Sequence, residues 1–332
     1  MKQFLSDVKN ARKNRIALEK FQAAVAETSD LVNPQRPSLR VENYRYRNRR
    51  DLLHEILGTE FHPFGDFRNS KIGWRKVMEQ LAIPNLELPK LYGTYENLDS
   101  VNLNDLPDSF VIKPDAGLAS LGVIAVRRTS NGEFENLLEG KTQSWTEIVE
   151  NFEKLRVKNK VRLSSALIAE ELLSDPETPG RVPSDWKFFV GSGKVFLSYK
   201  VTRIPDNGPK GFKNTFAVWD ADLNPHPQLH SNRTSDPKAV LPTNIHDLIA
   251  MAETIAGCFA QPVCRIDLYN LPGRIVFGEY TPNPGGNYDV GLEQDERLGR
   301  IWLEAEVRYN AMLLKKIQEL GHPKYGLGIW KP

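Results

Sequence analysis

Residues Phe110 to Val126 read FVIKPDAGLASLGVIAV. An apolar strand ends in Lys113, a loop with Gly117, Ala119, Ser120 and Gly122 follows, and a second apolar strand begins. Small side chains let backbone N–H groups approach an anion. A lysine adds a compact positive charge. That pairing is the chemistry of a phosphate site. An ordinary hairpin with a solvated lysine has the same composition, so the rest of the chain must decide.

A second stretch, Cys264 to Asn287, reads CRIDLYNLPGRIVFGEYTPNPGGN and turns at Pro272-Gly273. A three-residue loop, Leu271 to Gly273, with Gly273 left-handed, sets Asn270 against Arg274, Asp267 against Phe277 and Arg265 against Glu279. Alternation then puts Arg265, Asp267, Glu279 and Thr281 on one face. Ile266, Leu268, Val276 and Gly278 take the other. Asp267 and Glu279 become diagonal neighbours about 7–8 Å apart, close enough to share cations. Mg²⁺ suits such oxygen donors, because it is held by one or two carboxylates plus substrate phosphates. The competing reading is a cross-strand Arg265–Glu279 salt bridge on a wet face. The loop TPNPGGN beside the acid pair, with its open backbone N–H groups, favours the cation site. A lysine with a small-residue loop and a carboxylate pair with an arginine together outline a Mg-ATP site.

These residues need elements to hold them. An amphipathic helix is predicted over residues 2–28, and a basic cluster, NYRYRNRR, follows at 43–50. The cluster reads as a solvated face, with an anionic dock as the alternative. A helix is predicted from Asn69 to Leu81, a hairpin over 109–128 and a helix over 142–158. A buried strand is expected in Ser165 to Leu173, and a hairpin in Asp185 to Ile204, closed at Gly191-Ser192-Gly193. Residues 205–243 read as long loops around one short strand, TFAVW, and loops of that length tend to be functional. Helices over 244–259 and 293–319 complete the pattern, which is α+β without regular βαβ alternation. Trp74, Trp186, Trp219 and Trp302, with Tyr44 and Tyr46, could line a sugar site, but core and subdomain packing is the favoured reading for each, Trp219 being the most open case.

The totals narrow the function. In 332 residues, 44 basic and 42 acidic side chains nearly balance, which gives no electrostatic case for nucleic-acid binding. Six scattered histidines and no CxxC or HExxH argue against structural zinc. Cys258 and Cys264 lie in apolar sequence and are expected as buried free thiols. No run approaches a membrane span or a signal-peptide core, so a cytoplasmic protein is expected. No residue pattern sets an oligomeric state.

The ordered set NSKIGWRKVMEQLAIP, LPDSFVIKPDAG, ALIAEELL, DWKFFVGSGKVF and CRIDLYNLPGRIVFGEYTPNPGG resembles the ATP-grasp superfamily, in its TupA-like branch named for a teichuronopeptide biosynthesis protein. The resemblance spans about Asn69 to Arg308 and implies an ATP-grasp fold, two α+β subdomains clasping ATP. It implies a lid subdomain at 69–170 and a core subdomain with the metal site at 171–332; the N-terminal segment 1–68, read as helical from its periodicity, lies largely outside it. By resemblance, Lys71 and Lys113 contact phosphates, and Asp115 to Gly122, with Gly117 and Ser120, folds over them. Glu170, Glu171, Leu172 and Leu173 form the adenine hinge, and Asp175 or Glu177 binds ribose. Lys187 or Arg203 reaches the γ-phosphate, Arg265 steadies the transferred group, and Asp267 and Glu279 hold Mg²⁺. The sequence departs from the family's Glu-x-Asn metal motif. Thr281 fills the third place, as in the TupA-like branch, and Asn283 is the alternative. Leu118 and Leu121 also intrude in the phosphate loop.

The reaction the resemblance implies is carboxylate–amine ligation through an acyl phosphate, with ADP released. A small-molecule carboxylate and amine are the substrates, and segment 205–243 borders the acceptor site. The branch name points to a peptide or cell-surface polysaccharide acceptor. A small-molecule or sugar kinase, and a non-catalytic nucleotide-binding scaffold, are the alternatives. Intact Lys113, Asp267 and Glu279 speak against the scaffold.

Overall fold

The computed structural model describes residues 70–117, 121–159, 163–174, 181–205, 212–229, 233–259, 261–282, 284 and 290–320. The segments predicted at 2–28 and 43–50 lie outside these residues, as do Ser120, Asp175, Glu177, Asn283, Gly285 and Gly286.

Two sheets organise the chain. The first has six antiparallel strands: β2 (Leu91–Tyr95), β3 (Ser109–Pro114), β4 (Ile124–Arg128), β5 (Phe134–Asn136), β6 (Lys141–Gln143) and β7 (Leu167–Glu171). Their order is β2-β7-β3-β4-β5-β6. Alternation in β3 buries Phe110 and Ile112 under helix α2 (Trp145–Lys158), against Ile148 and Phe152. Each such side chain contributes roughly 1.5–3 kcal/mol. The helix starts where SWTE forms a capping box, Ser144 and Glu147 each satisfying the other's backbone N–H. The opposite face of β3, with Val111 and Lys113, is left for other work.

The second sheet has seven strands: β1 (Leu86–Glu87), β8 (Asp185–Gly191), β9 (Lys194–Pro205), β10 (Phe212–Asp220), β11 (Thr234–Ser235), β12 (Val263–Leu271) and β13 (Arg274–Thr281). Their order is β1-β13-β12-β8-β9-β10-β11. One face packs on helix α1 (Lys71–Leu81) and helix α3 (Ile245–Gly257), with Trp74, Trp186, Phe188, Ile266, Leu268, Phe277 and Tyr280 in the core. Trp74 stacks on Tyr280 at 4.4 Å between ring centres. The other face is divided. Helix α4 (Leu292–Leu320) covers one end through Leu298, Trp302 and Ala305, against Phe189, Leu197, Tyr199 and Val263. Beyond that end the same face carries charged side chains. Trp219 lies in the core with the other three tryptophans. No helix among the described residues is long and apolar enough to cross a membrane.

Four expectations change. The β12–β13 loop has two residues, Pro272 and Gly273, and pairs Leu271 with Arg274. Pro272 presets φ for the first turn position, and Gly273, at φ +71°, accepts the left-handed second. A bulge then inserts Gly278, so Asp267 pairs directly with Glu279 and Arg265 with Thr281. Val276, opposite Tyr269, therefore lies on the charged face rather than the core face. Cys258 is exposed while Cys264 is buried, and neither is in a disulfide. Position 258 follows Thr254 on the outward side of α3, and its thiol donates to the Thr254 carbonyl at 3.3 Å. The short strand expected at TFAVW is nine residues long, because β9 pairs with it from Phe212 to Asp220. Finally, α1 and β1, inside the expected 69–170 lid segment, pack on the second sheet: Trp74 and Met78 join its core, and β1 runs parallel to β13.

Candidate active site

The second sheet lines up one row of side chains across five strands. Glu279 pairs with Asp267, Asp267 with Lys187, Lys187 with Tyr199 and Tyr199 with Val218. Period-2 alternation puts Arg265 and Tyr269 on the same face of β12, and Asp185 on that face of β8.

Asp267 is the centre of this row, 2% exposed. Arg265 grips it with two hydrogen bonds, Nε to Oδ1 at 2.6 Å and Nη2 to Oδ2 at 2.9 Å. Lys187 Nζ pairs with Asp267 Oδ2 and, at 2.5 Å, with Asp185 Oδ2. Burial alone would raise the Asp267 pKa, but Arg265 and Lys187 outweigh it and hold the carboxyl below the usual range. Asp185 is less well compensated. Burial pushes it up to about 6, Lys187 offsets part of that, and Asp267 adds to it. Asp185 Oδ1 is buried with no hydrogen-bond partner among the described residues. Glu279 is more open, its side chain 45% exposed, and meets Arg265 Nη2 only at 3.6 Å.

Cations face this row from the first sheet and from α1. Glu170, opposite Val111 on β3, accepts from Lys113 Nζ at 2.8 Å and from Arg75 Nη1 at 3.0 Å. Burial would lower the Lys113 pKa, but Glu170 reverses that and keeps the ammonium charged. Lys71 opens α1 within electrostatic reach of Glu279, Lys113, Asp115 and Glu170, and burial lowers its pKa. Asp115 fixes it there. The Asp115 backbone carbonyl accepts from Lys71 N–H at 3.0 Å, and its carboxylate accepts from Ile72 N–H at 2.8 Å and Ser70 Oγ at 2.9 Å. This carboxylate at the α1 N-terminus suits the helix dipole.

An apolar slot adjoins the charges. Leu173, just past β7, packs with Leu271, Val276 and Tyr269. Burial raises the Tyr269 phenol to about 12, with Asp185 adding to the effect. Arg274, at the turn of β12–β13, reaches Glu171 at 3.3 Å and Glu87 at 2.7 Å, and so ties the first sheet's β7 to the second sheet. Glu171 also accepts from Lys90 N–H at 3.1 Å.

The structure thus brings Lys71, Lys113, Glu170, Lys187, Arg265, Asp267 and Glu279 into one charged cluster. Thr281 lies on the same face, beside Arg265, and Leu172 packs toward Val111 and Ala125. Arg203, two residues past Val201 on β9, has its pKa lowered by burial and lies in reach of Tyr269 and Asp185. Gly122 sits at φ +73°, a left-handed backbone that favours glycine, and an added Cβ would stand 2.9 Å from Leu163 Cδ1. Gly117 has only ordinary clearance. Sequence reasoning missed Asp185, Tyr269 and Arg75. Period 2 from Lys187 and Asp267 pointed to the first two, and the helical step of four from Lys71 to the third.

Residues 67–303 match the TupA-like ATPgrasp family, and the chain belongs to it. No curated protein sequence matches the chain. Among solved structures, D-alanine–D-alanine ligase from Bacillus anthracis is similar at 15% identity and TM-score 0.45, over 74% of this chain and 69% of that one. The ATP-grasp ligase PsnB in complex with a minimal precursor is similar at 10% identity and TM-score 0.39, over 75% of this chain and 63% of that one. A RimK domain ATP-grasp protein from Sphaerobacter thermophilus gives 8% identity and TM-score 0.39, over 74% and 68%.

Proposed function

We propose that the protein is an ATP-dependent ligase that joins a carboxylate to an amine through an acyl phosphate and releases ADP. One observation carries the reading. Two opposed carboxylates, Asp267 and Glu279, share a charged cluster with Lys187 and Arg265 on one side and Lys71 and Lys113 on the other. Membership of the TupA-like ATP-grasp family supports it.

ATP lies with its base in the slot of Leu173, Leu271, Val276 and Tyr269, its edge against the backbone from Glu170 to Leu173. Asp175 or Glu177 takes the ribose. Lys71 and Lys113 draw the phosphates in, with the loop from Asp115 to Gly122, including Gly117 and Ser120, closing over them. The Asp115 carboxylate, spent on the α1 N-terminus, acts there by holding Lys71 in place.

Asp267 and Glu279 fit Mg²⁺. They are hard oxygen donors directly opposed, Glu279 has one cationic contact at 3.6 Å, and Asp267 would exchange part of its contact with Arg265 and Lys187 for the metal. Thr281 or Asn283 fills the third position. Bound there, Mg²⁺ would supply positive charge to the phosphates for phosphoryl transfer.

Transfer needs positioning and charge neutralisation more than covalent chemistry from the protein. Lys187 or Arg203 holds the γ-phosphoryl group in line with the substrate carboxylate. An oxygen of that carboxylate attacks phosphorus and ADP leaves. The amine then attacks the acyl carbon, the C–O bond to phosphate breaks, and the amine's surplus proton leaves with solvent. Arg265 stabilises the oxyanion formed in between. A peptide or cell-surface polysaccharide is the acceptor class that the family's name favours.

Isotope transfer tests this. With ¹⁸O-labelled carboxylic acids, acyl-phosphate ligation moves one labelled oxygen into inorganic phosphate. Unlabelled phosphate accompanying an amide product overturns the reading.

A further inference from the structure

We infer that Arg233 recognises a carboxylate of the amine substrate, so that the amine joined in the reaction is itself an acid such as a free amino acid. The inference rests on the ligase reading of the site.

Arg233 lies at the start of β11, the far edge of the second sheet. Its guanidinium carbon sits 4.4 Å from the centre of the Phe216 ring and 5.5 Å from that of Tyr199. Among the described residues it forms no hydrogen bond or ion pair. Asp236, three residues on, accepts instead from Thr215 Oγ1 at 3.3 Å. The half-buried Arg233 is therefore a cation held by two rings, with no anion answering it among the described residues. Stacking on aromatic faces pre-orders the guanidinium plane without using its N–H donors, which remain free for a planar, bidentate partner such as a carboxylate.

Register gives its location. Tyr199 is the direct cross-strand partner of Lys187, and Lys187 that of Asp267. Phe216 pairs with Val201, the next residue on the same face of β9. Arg233 thus lies over the charged face, on the side of Lys187 away from Asp267. Strand spacings of about 4.8 Å put the Phe216 ring beneath it two strands, roughly 10 Å, out from Lys187, the reach of a small amino acid bound by its carboxylate with its amine turned inward. Phosphate transfer already has Lys71, Lys113, Lys187 and Arg265, so a further cation two strands outward from Lys187 suits the second substrate.

Phenylglyoxal labelling of the full chain in Mg-ADP, mapped by peptide mass spectrometry, tests this without turnover. Arg233 should label readily. A pool of amino, uronic and dicarboxylic acids should slow that labelling by about tenfold or more, the scale of one charged hydrogen bond. The matching amides and inorganic phosphate should not. Equal protection by acids and amides, equal protection by phosphate, or no protection overturns the inference. With any acid that supports ADP release, Arg233→Met should raise its KM by a similar factor and leave the KM for ATP unchanged, and Arg233→Lys should restore part of the loss. Protection by acids with no condensed product would remove the ligase reading and leave the carboxylate site standing. Condensed product with no protection at Arg233 would do the reverse.

Discussion

Glu279 stands directly across the strand pair from Asp267, and the bulge at Gly278 is what sets it there. Without that extra residue, the two-residue turn would place Gly278 opposite Asp267 and leave Glu279 opposite Ile266, on the core face. A Cβ at position 278 would lie 3.0 Å from the Asp267 carbonyl oxygen and 3.2 Å from Tyr269 Cε2. Gly278→Ala is expected to cost about 1–3 kcal/mol of stability from overpacking. Its larger effect should fall on Mg²⁺ dependence, read as a raised Mg²⁺ requirement for ADP release.

Glu279→Gln separates chemistry from folding. The side chain is nearly half exposed and its single ion pair is long, so thermal stability should change by less than about 1 kcal/mol. Mg-dependent ATP turnover should fall about a hundredfold or more. Turnover at the wild-type rate contradicts the metal assignment.

Glu170→Gln tests the cationic side. It leaves Lys113 and Arg75 without their shared carboxylate, in a partly buried place. Losing one partner of such a cluster should destabilise the apo protein by about 3 kcal/mol. ATP supplies replacement negative charge, so the rise in melting temperature on adding ATP should be larger in the variant than in the wild type.

The two hairpins were legible because alternation needs only neighbouring residues, and it put Arg265, Asp267, Glu279 and Thr281 on one face. Alternation does not report loop length or bulges. A two-residue shift in register preserves the face, which is why that assignment survived a wrong turn. Val276 lies on the turn side of the bulge, where a loop one residue shorter flips the face. Long-range ties were not legible at all. Asp115 capping α1 and Arg274 joining Glu171 to Glu87 depend on how the two sheets meet. Arg233 likewise becomes meaningful only once β9 and β10 bring Tyr199 and Phe216 together beneath it.

Asp185 gives the site a pH signature. Its pKa rises from 3.8 to about 6 on folding, so between those values the folded state binds more protons than the unfolded state. This group's contribution is therefore present at low pH and is lost as pH rises toward 6. Asp185→Asn removes it. In metal-free buffer, the melting temperature of the wild type minus that of the variant should decline as pH is raised from about 4 to 6. A difference that is flat or rises contradicts the assignment of an under-compensated carboxylate.

The most direct test of the ligase reading is mass spectrometry of the purified protein incubated with Mg-ATP and a mixed pool of amino acids and carboxylic acids. The expected product has the summed mass of two pool members minus one water, in amounts matched by ADP. A pool member phosphorylated on a hydroxyl, and so stable to hydroxylamine where an acyl phosphate is not, with no condensed product, would contradict ligation and identify a kinase.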